Sequence, residues 1–391
     1  MEKLSSTSFA DLVRTKEIPE IAGQEYLLGL RGLLVIETFL WTFLVVFAPN
    51  TVKDAAINVD GPGWQTMFRK TLSVLFWNQT LIYAFFIILS ARTLAIPFFK
   101  APSKIVVASA VFRRGIRLAI PTSISLGIIT AAFSILGVGY INEFKMLTGN
   151  LAIRTPLVLN KVLIYFNSVY QLFWITQNFF TQSGNYAFPS STLWAVNLVY
   201  QQSYTVFIIM IIVPYTRREW RVKMSIPFII TAWWVDSWSW YSISGLLMAD
   251  MVMNMDFKAK SKRGIPLPFI KAFRLPSWVP AAILMAGGLT MQYLWTAWRP
   301  DMLNQEVEAH TGLYYGGELN RDVDTRQPQA RDDNYLFVVG FFILLETFES
   351  LQNLFHSRFL IYLGRRSLSK SHQPAYLTSP NSDNESFQAT S

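Results

Sequence analysis

The sequence predicts an all-α fold: a polytopic transmembrane helical bundle of about eight spans, each near the ~20 residues a helix needs to cross the hydrocarbon core. Three observations predict it. Of 391 residues, 52% are hydrophobic and only 15% charged, against about a quarter charged in soluble domains. The apolar residues gather in blocks long enough to span a bilayer. Between the blocks run connectors rich in Lys and Arg, which mark the cytoplasmic side of a membrane.

The blocks follow in order. Six are strong, at 27–48, 71–97, 116–136, 193–215, 276–298 and 334–355. Two are weaker. Residues 157–180 are interrupted by Asn160, Lys161 and Asn167 and read as interfacial or re-entrant, and residues 225–253 contain Asp236 and are long for one span but short for two. The connectors at 100–117, 216–224 and 254–275 are basic and read as cytoplasmic, whereas 299–333 carries twice as many acids as arginines and reads as external. A single crossing at 225–253 would join two cytoplasmic connectors, so that block is a tight hairpin, a re-entrant pair or the sign of a misread loop. The division is a polar cytoplasmic N-terminus (1–24), a transmembrane domain (25–369) and a polar, disordered tail (370–391). The first twenty-four residues lack the apolar core of a cleavable signal, so the first span is expected to act as an uncleaved anchor in an endomembrane or the plasma membrane.

Composition also excludes chemistry. The chain has no cysteine, so disulfides, thiolate nucleophiles and Cys-ligated zinc are ruled out. Its three histidines, His310, His356 and His372, are too scattered to suggest a metal site, and none is predicted. The net charge of +9 sits in the connectors and points to the bilayer rather than to nucleic acid. Two Asn-x-Ser/Thr triplets begin at Asn78 and Asn384, the first against a span and the second on the cytoplasmic tail, so neither is a good glycan acceptor.

Ionisable groups inside a span cost several kcal/mol and face a bundle interior or a wet cavity. Glu37 and Asp236 are the candidates, and for each a pairing with a neighbouring arginine or helix end is equally open. For Glu346 and Glu349, near the inner end of the last span, the pairing is favoured. Arg31 has a plain reading as a cytoplasmic anchor whose stem snorkels to the headgroups. In "VFRRGIRLAIP" the spacing of Arg113, Arg114 and Arg117 puts at least two guanidinium groups on one helix face. They suit phosphate oxygens, which each guanidinium can bind two at a time, or serve as a topology signal.

"GLRGLLVIETFLWTF" resembles the opening span of the acyltransferase-3 family, multi-span membrane enzymes that move an acyl group, commonly acetyl, from acyl-CoA to hydroxyls. "YAFFIILSART" (83–93) is similar to the family's Phe-Phe-x-Leu-Ser segment, "RRGIRLAIP" (113–121) to its Arg-Arg-x-x-Arg-Leu-x-x-Pro signature, "LWAVNLVYQQSYTVFIIMIIVP" (193–214) to its Trp-containing span, and "FLIYLGRRSLS" (359–369) to its Leu-Gly-Arg/Lys-x-Ser turn. These pieces stand in the family's order and are nearest its fungal branch, often linked to secondary metabolism. The resemblance implies a fold of about ten spans, acyl-CoA (acetyl-CoA foremost) as co-substrate without metal, and a hydroxylated small molecule or glycan as acceptor. It implies Arg113, Arg114 and Arg117 near the CoA phosphates and Arg31 near the thioester. Thr42 stands where the family has a histidine, eleven positions after the arginine, so the base must come from elsewhere. Glu37 is then the first candidate and Asp236 the second. Val199 and Tyr200 stand where many relatives have a glutamate after the tryptophan, and the chain turns polar after Ser369 where the family continues into a further span. A non-enzymatic reading, a metabolite transporter or an acyltransferase-like scaffold, is the alternative.

Overall fold

The computed structural model describes residues 24–52, 61–100, 102–150, 153, 155–159, 161–174, 193–266, 274–303, 314–315, 318–319 and 329–369. The N-terminal segment, the polar tail with Asn384, and two of the histidines, His310 and His372, lie outside them, as does Asn160.

The described chain is almost wholly helical. Helix α1 is Tyr26–Phe47, α2 Gly63–Lys70, α3 Ser73–Phe76, α4 Gln79–Lys100, α5 Lys104–Leu136, α6 Gly139–Thr148, α7 Val162–Trp174 and α8 Trp194–Ile212. There follow α9 Arg218–Trp234, α10 Ser239–Asn254, α11 Phe257–Arg263, α12 Trp278–Tyr293, α13 Asp332–Thr347, α14 Glu349–Leu354 and α15 Arg358–Ser369. The described strands are two short antiparallel pairs, Ile265–Pro266 with Arg274–Leu275 and Tyr314–Tyr315 with Glu318–Leu319.

Among the described residues, four stretches are long and apolar enough to cross a membrane: Tyr26–Phe47, Ser73–Lys100, Lys104–Leu136 and Trp194–Tyr215. The blocks at 276–298 and 334–355 are helical too, but their regular helices are shorter. The first passes from α12 into a π-helical turn over Leu294–Trp298, and the second breaks at Phe348 between α13 and α14. The ambiguous block at 225–253 is a helical hairpin: α9 and α10 pack together around the turn at 235–238. Within 157–180 the described helix is α7 alone.

Helix α4 is central. Its most apolar window is 72% buried, against 28% for α1 and 22% for α5. The main core gathers Leu27, Leu30 and Leu34 of α1, Ile88 and Ile96 of α4, Leu198 of α8, Tyr241 of α10 and Phe342 of α13. Helix α5 instead turns Ile116, Ile124, Ile128 and Ile135 outward. Such a continuous apolar face is a liability in water and suits lipid.

The two ends of the described chain meet at α1. A Cβ on Gly32 would stand 2.0 Å from the Leu360 carbonyl oxygen of α15, and one on Gly364 1.9 Å from the Leu28 carbonyl oxygen. The two helices thus touch backbone to backbone, an approach that small residues permit.

Candidate functional site

The arginine-rich segment is the middle of a long helix. Ser103 starts α5 as its N-cap, accepting from the Val106 N–H at 3.2 Å. Pro121 lies inside α5 and lacks the N–H that would reach the Arg117 carbonyl, so the cluster ends at a weakened turn. Helix α4 begins with Asn78 as its cap, the carboxamide oxygen accepting from the Leu81 N–H at 3.3 Å. Asn78 is fully buried, which leaves it no access for a glycan.

The four arginines form one group of positive charge. Arg114 points into the bundle: its Nε donates to Ser203 Oγ of α8 at 2.9 Å and its Nη2 to Ser90 Oγ of α4 at 2.6 Å. Arg31 of α1 lies close enough for its charge to act on Arg114. Arg31 makes no hydrogen bond or ion pair with the described residues. Arg117 also acts on Arg114 by its charge, and Arg113, one turn away, acts on Arg117. Arg113 Nε donates to the Ser109 carbonyl at 3.1 Å, while Arg117 has no described partner. No described carboxylate forms an ion pair with any of these four arginines.

Below Arg114 is a small cavity between α4, α8 and α10, with room for about one water. Its polar lining is Ser90, Gln202, Ser203 and Ser242, and Ile87 and Val199 are among the apolar residues.

The candidate acids are placed differently. Glu37 follows Arg31 by six residues, about 9 Å along the axis and on another face of α1. It has no ion pair among the described residues. Thr38 and Thr42, seven and eleven residues after Arg31, return to the face of Arg31 at 3.6 residues per turn. Asp236 forms the turn between α9 and α10 with φ of 50°. The Ser237 N–H reaches the Ala232 carbonyl at 2.9 Å and the Asp236 N–H the Trp233 carbonyl at 3.0 Å. That is a Schellman motif, whose left-handed position takes Gly, Asn or Asp most readily. The structure therefore groups Arg31, Arg113, Arg114 and Arg117 through their charges and gives Asp236 a turn-forming job.

Glu346 and Glu349 take the pairing expected of them. Glu349 meets Lys258 at 2.6 Å on the surface. Glu346 meets Arg92 of α4 at 2.6 Å in the core, and Tyr26 of α1 donates to the same carboxylate oxygen at 2.7 Å while accepting from Arg92 Nη2 at 3.1 Å. Sequence reasoning passed over Arg92 although the signal was present: a cation inside the 71–97 block has to meet an acid or a wet cavity.

Comparisons of the chain with protein-family models, with curated proteins and with solved structures each return no match.

Proposed function

We propose that the chain is a multi-pass integral membrane acyltransferase of about eight spans, which moves an acyl group, acetyl foremost, from acyl-CoA to a hydroxyl of a small metabolite or carbohydrate. One observation carries the reading: Arg31 and Arg117 both act by their charge on Arg114, in helices apolar enough to span a membrane, and no described carboxylate pairs with any of the three. Like charges in an apolar setting call for an anion. An acyl-CoA brings phosphates, which guanidinium groups bind bidentately, and a thioester carbonyl oxygen that gains negative charge during transfer. Arg113 and Arg117 take the phosphates on the cytoplasmic side. Arg114 and Arg31 lie deeper and face the thioester end. Glu37 serves as the base that takes the acceptor's proton, since Thr42 cannot do so near neutral pH. The resemblance in motif order to the acyltransferase-3 family supports the same reading, and Val199, at one of the positions where many relatives have glutamate, lines the cavity under Arg114.

The test is direct. Purified full-length protein is given radiolabelled acetyl-CoA and a panel of hydroxylated acceptors, beside Arg31→Ala and Arg114→Ala variants. Label should move to an acceptor, and each variant should lose at least ten-fold in transfer at unchanged protein level. A wild type that neither binds acetyl-CoA nor labels any acceptor, yet exports a metabolite without it, would overturn the reading in favour of a transporter.

A further inference from the structure

The cavity between α4, α8 and α10 presents hydrogen-bond donors. Ser90 Oγ accepts from Arg114 Nη2 at 2.6 Å, and no described residue accepts the proton Ser90 itself carries. Ser242 donates to Gln202 Oε1 at 3.1 Å. That bond fixes the carboxamide so that its two N–H groups are left without a described acceptor. Ser203 has no donor to spare, since its hydroxyl proton goes to the Val199 carbonyl at 2.6 Å while its Oγ accepts from Arg114 at 2.9 Å. Arg114 is bonded to two of these lining hydroxyls, and the charges of Arg31 and Arg117 act on it. No carboxylate lines the space.

A space of about one water, faced by two neutral donors and backed by positive charge, fits an oxygen that only accepts and that gains negative charge. The geometry points to an oxyanion site: the Ser90 hydroxyl and the Gln202 amide donate to the carbonyl oxygen of the bound acyl thioester. This rests on the acyl-transfer reading and adds two catalytic residues to it.

The step balances without a further reactant. The acceptor oxygen bonds to the thioester carbonyl carbon, and the C=O π pair moves onto the oxygen, which Ser90 and Gln202 hold. Collapse restores the C=O bond and breaks the C–S bond. The acceptor's proton passes through the base to the departing sulfur, giving an ester and free CoA thiol. Arg114 acts as a positioning residue, holding Ser90 and setting the field.

The experiment uses full-length protein, acetyl-CoA and the panel acceptor that the wild type labels. Gln202→Leu removes the amide donors and should lower single-turnover transfer by about 100- to 1,000-fold, with acetyl-CoA binding within three-fold of wild type. Gln202→Glu keeps an oxygen for Ser242 but offers the cavity an acceptor, and should lose transfer equally; it stands in if the leucine variant fails to fold. Ser242→Ala frees the amide to turn and should give an intermediate loss. Transfer within three-fold of wild type in Gln202→Leu or Gln202→Glu would overturn the oxyanion site and leave acyl transfer standing. A wild type inert towards acetyl-CoA and every acceptor would overturn both.

Discussion

The ion pair of Arg92 and Glu346 offers the sharpest energetic test of the fold. The Arg92 side chain is 0% exposed and that of Glu346 7%, with 2.6 Å between them. Removing either partner strands a charge in an apolar core and costs about 3–5 kcal/mol. Arg92→Met and Glu346→Leu should each lose that much. The double variant should behave otherwise. Arg92 Nε and Nη1 have no partner among the described residues, and the guanidinium lies 5.8 Å from the Phe342 ring centroid, a weak compensation. The pair is therefore imperfectly solvated by its surroundings, and apolar side chains of similar volume should recover nearly all the loss. What remains is the Tyr26 hydroxyl, which loses both its partners at about 1–3 kcal/mol. Adding Tyr26→Phe should return the triple variant to within about 1 kcal/mol of wild type. Equilibrium unfolding in mixed detergent–SDS micelles reads each term as a double-mutant cycle. Single losses under about 1 kcal/mol, or a double loss equal to the sum of the singles, would refute the reasoning.

Two further outcomes follow from backbone geometry. Gly32→Ala and Gly364→Ala each place a Cβ within 2.0 Å of a carbonyl oxygen on the facing helix, so α1 and α15 must part and the yield of monodisperse protein on size exclusion should collapse. Gly287→Ala, in α12 with nothing within 4 Å, should instead raise stability by about 0.5–1 kcal/mol. Asp236→Gly and Asp236→Asn both suit a residue at φ of 50° and should leave folding and acyl transfer unchanged. Loss of transfer in a well-folded Asp236→Asn protein would show that the carboxylate does chemistry as well as forming the turn.

What was legible in the sequence was composition and its period. Apolar blocks announced their helices, and the charge conflict around 225–253 left a hairpin, a re-entrant pair or a misread loop open, of which the helices show a hairpin. Block length was a weaker guide. Residues 276–298 and 334–355 read as continuous spans, yet a π-helical turn at 294–298 and a break at Phe348 shorten the regular helix in each. Such departures depend on packing, which no window average contains. Long-range partners were equally hidden. Nothing local to Glu346 says that its arginine lies on α4, and nothing local to "GLRG" or "YLGRR" says that their glycines face one another. The close approach of α1 and α15 gives the glycines of both stretches a physical reason.

The way this chain treats its other arginines decides how Arg114 should be read. Arg92 of α4 meets Glu346 of α13 at 2.6 Å and Arg221 of α9 meets Asp250 of α10 at 3.1 Å. Where an arginine ties elements together, a carboxylate stands opposite it. A topology signal needs no such partner, but it extends its stem towards the headgroups and leaves its charge in water. Arg114 fits neither pattern. Its guanidinium is held between α4 and α8 by two hydroxyls, neutral groups that orient a cation without cancelling it. Arg31 adds a second positive charge at the same place. Two serines could have been one aspartate, which would have fixed the same side chain more strongly. Hydroxyls in its stead leave the field of the arginine available to a ligand, and the cavity beside them is where that field falls on donors rather than on an acid.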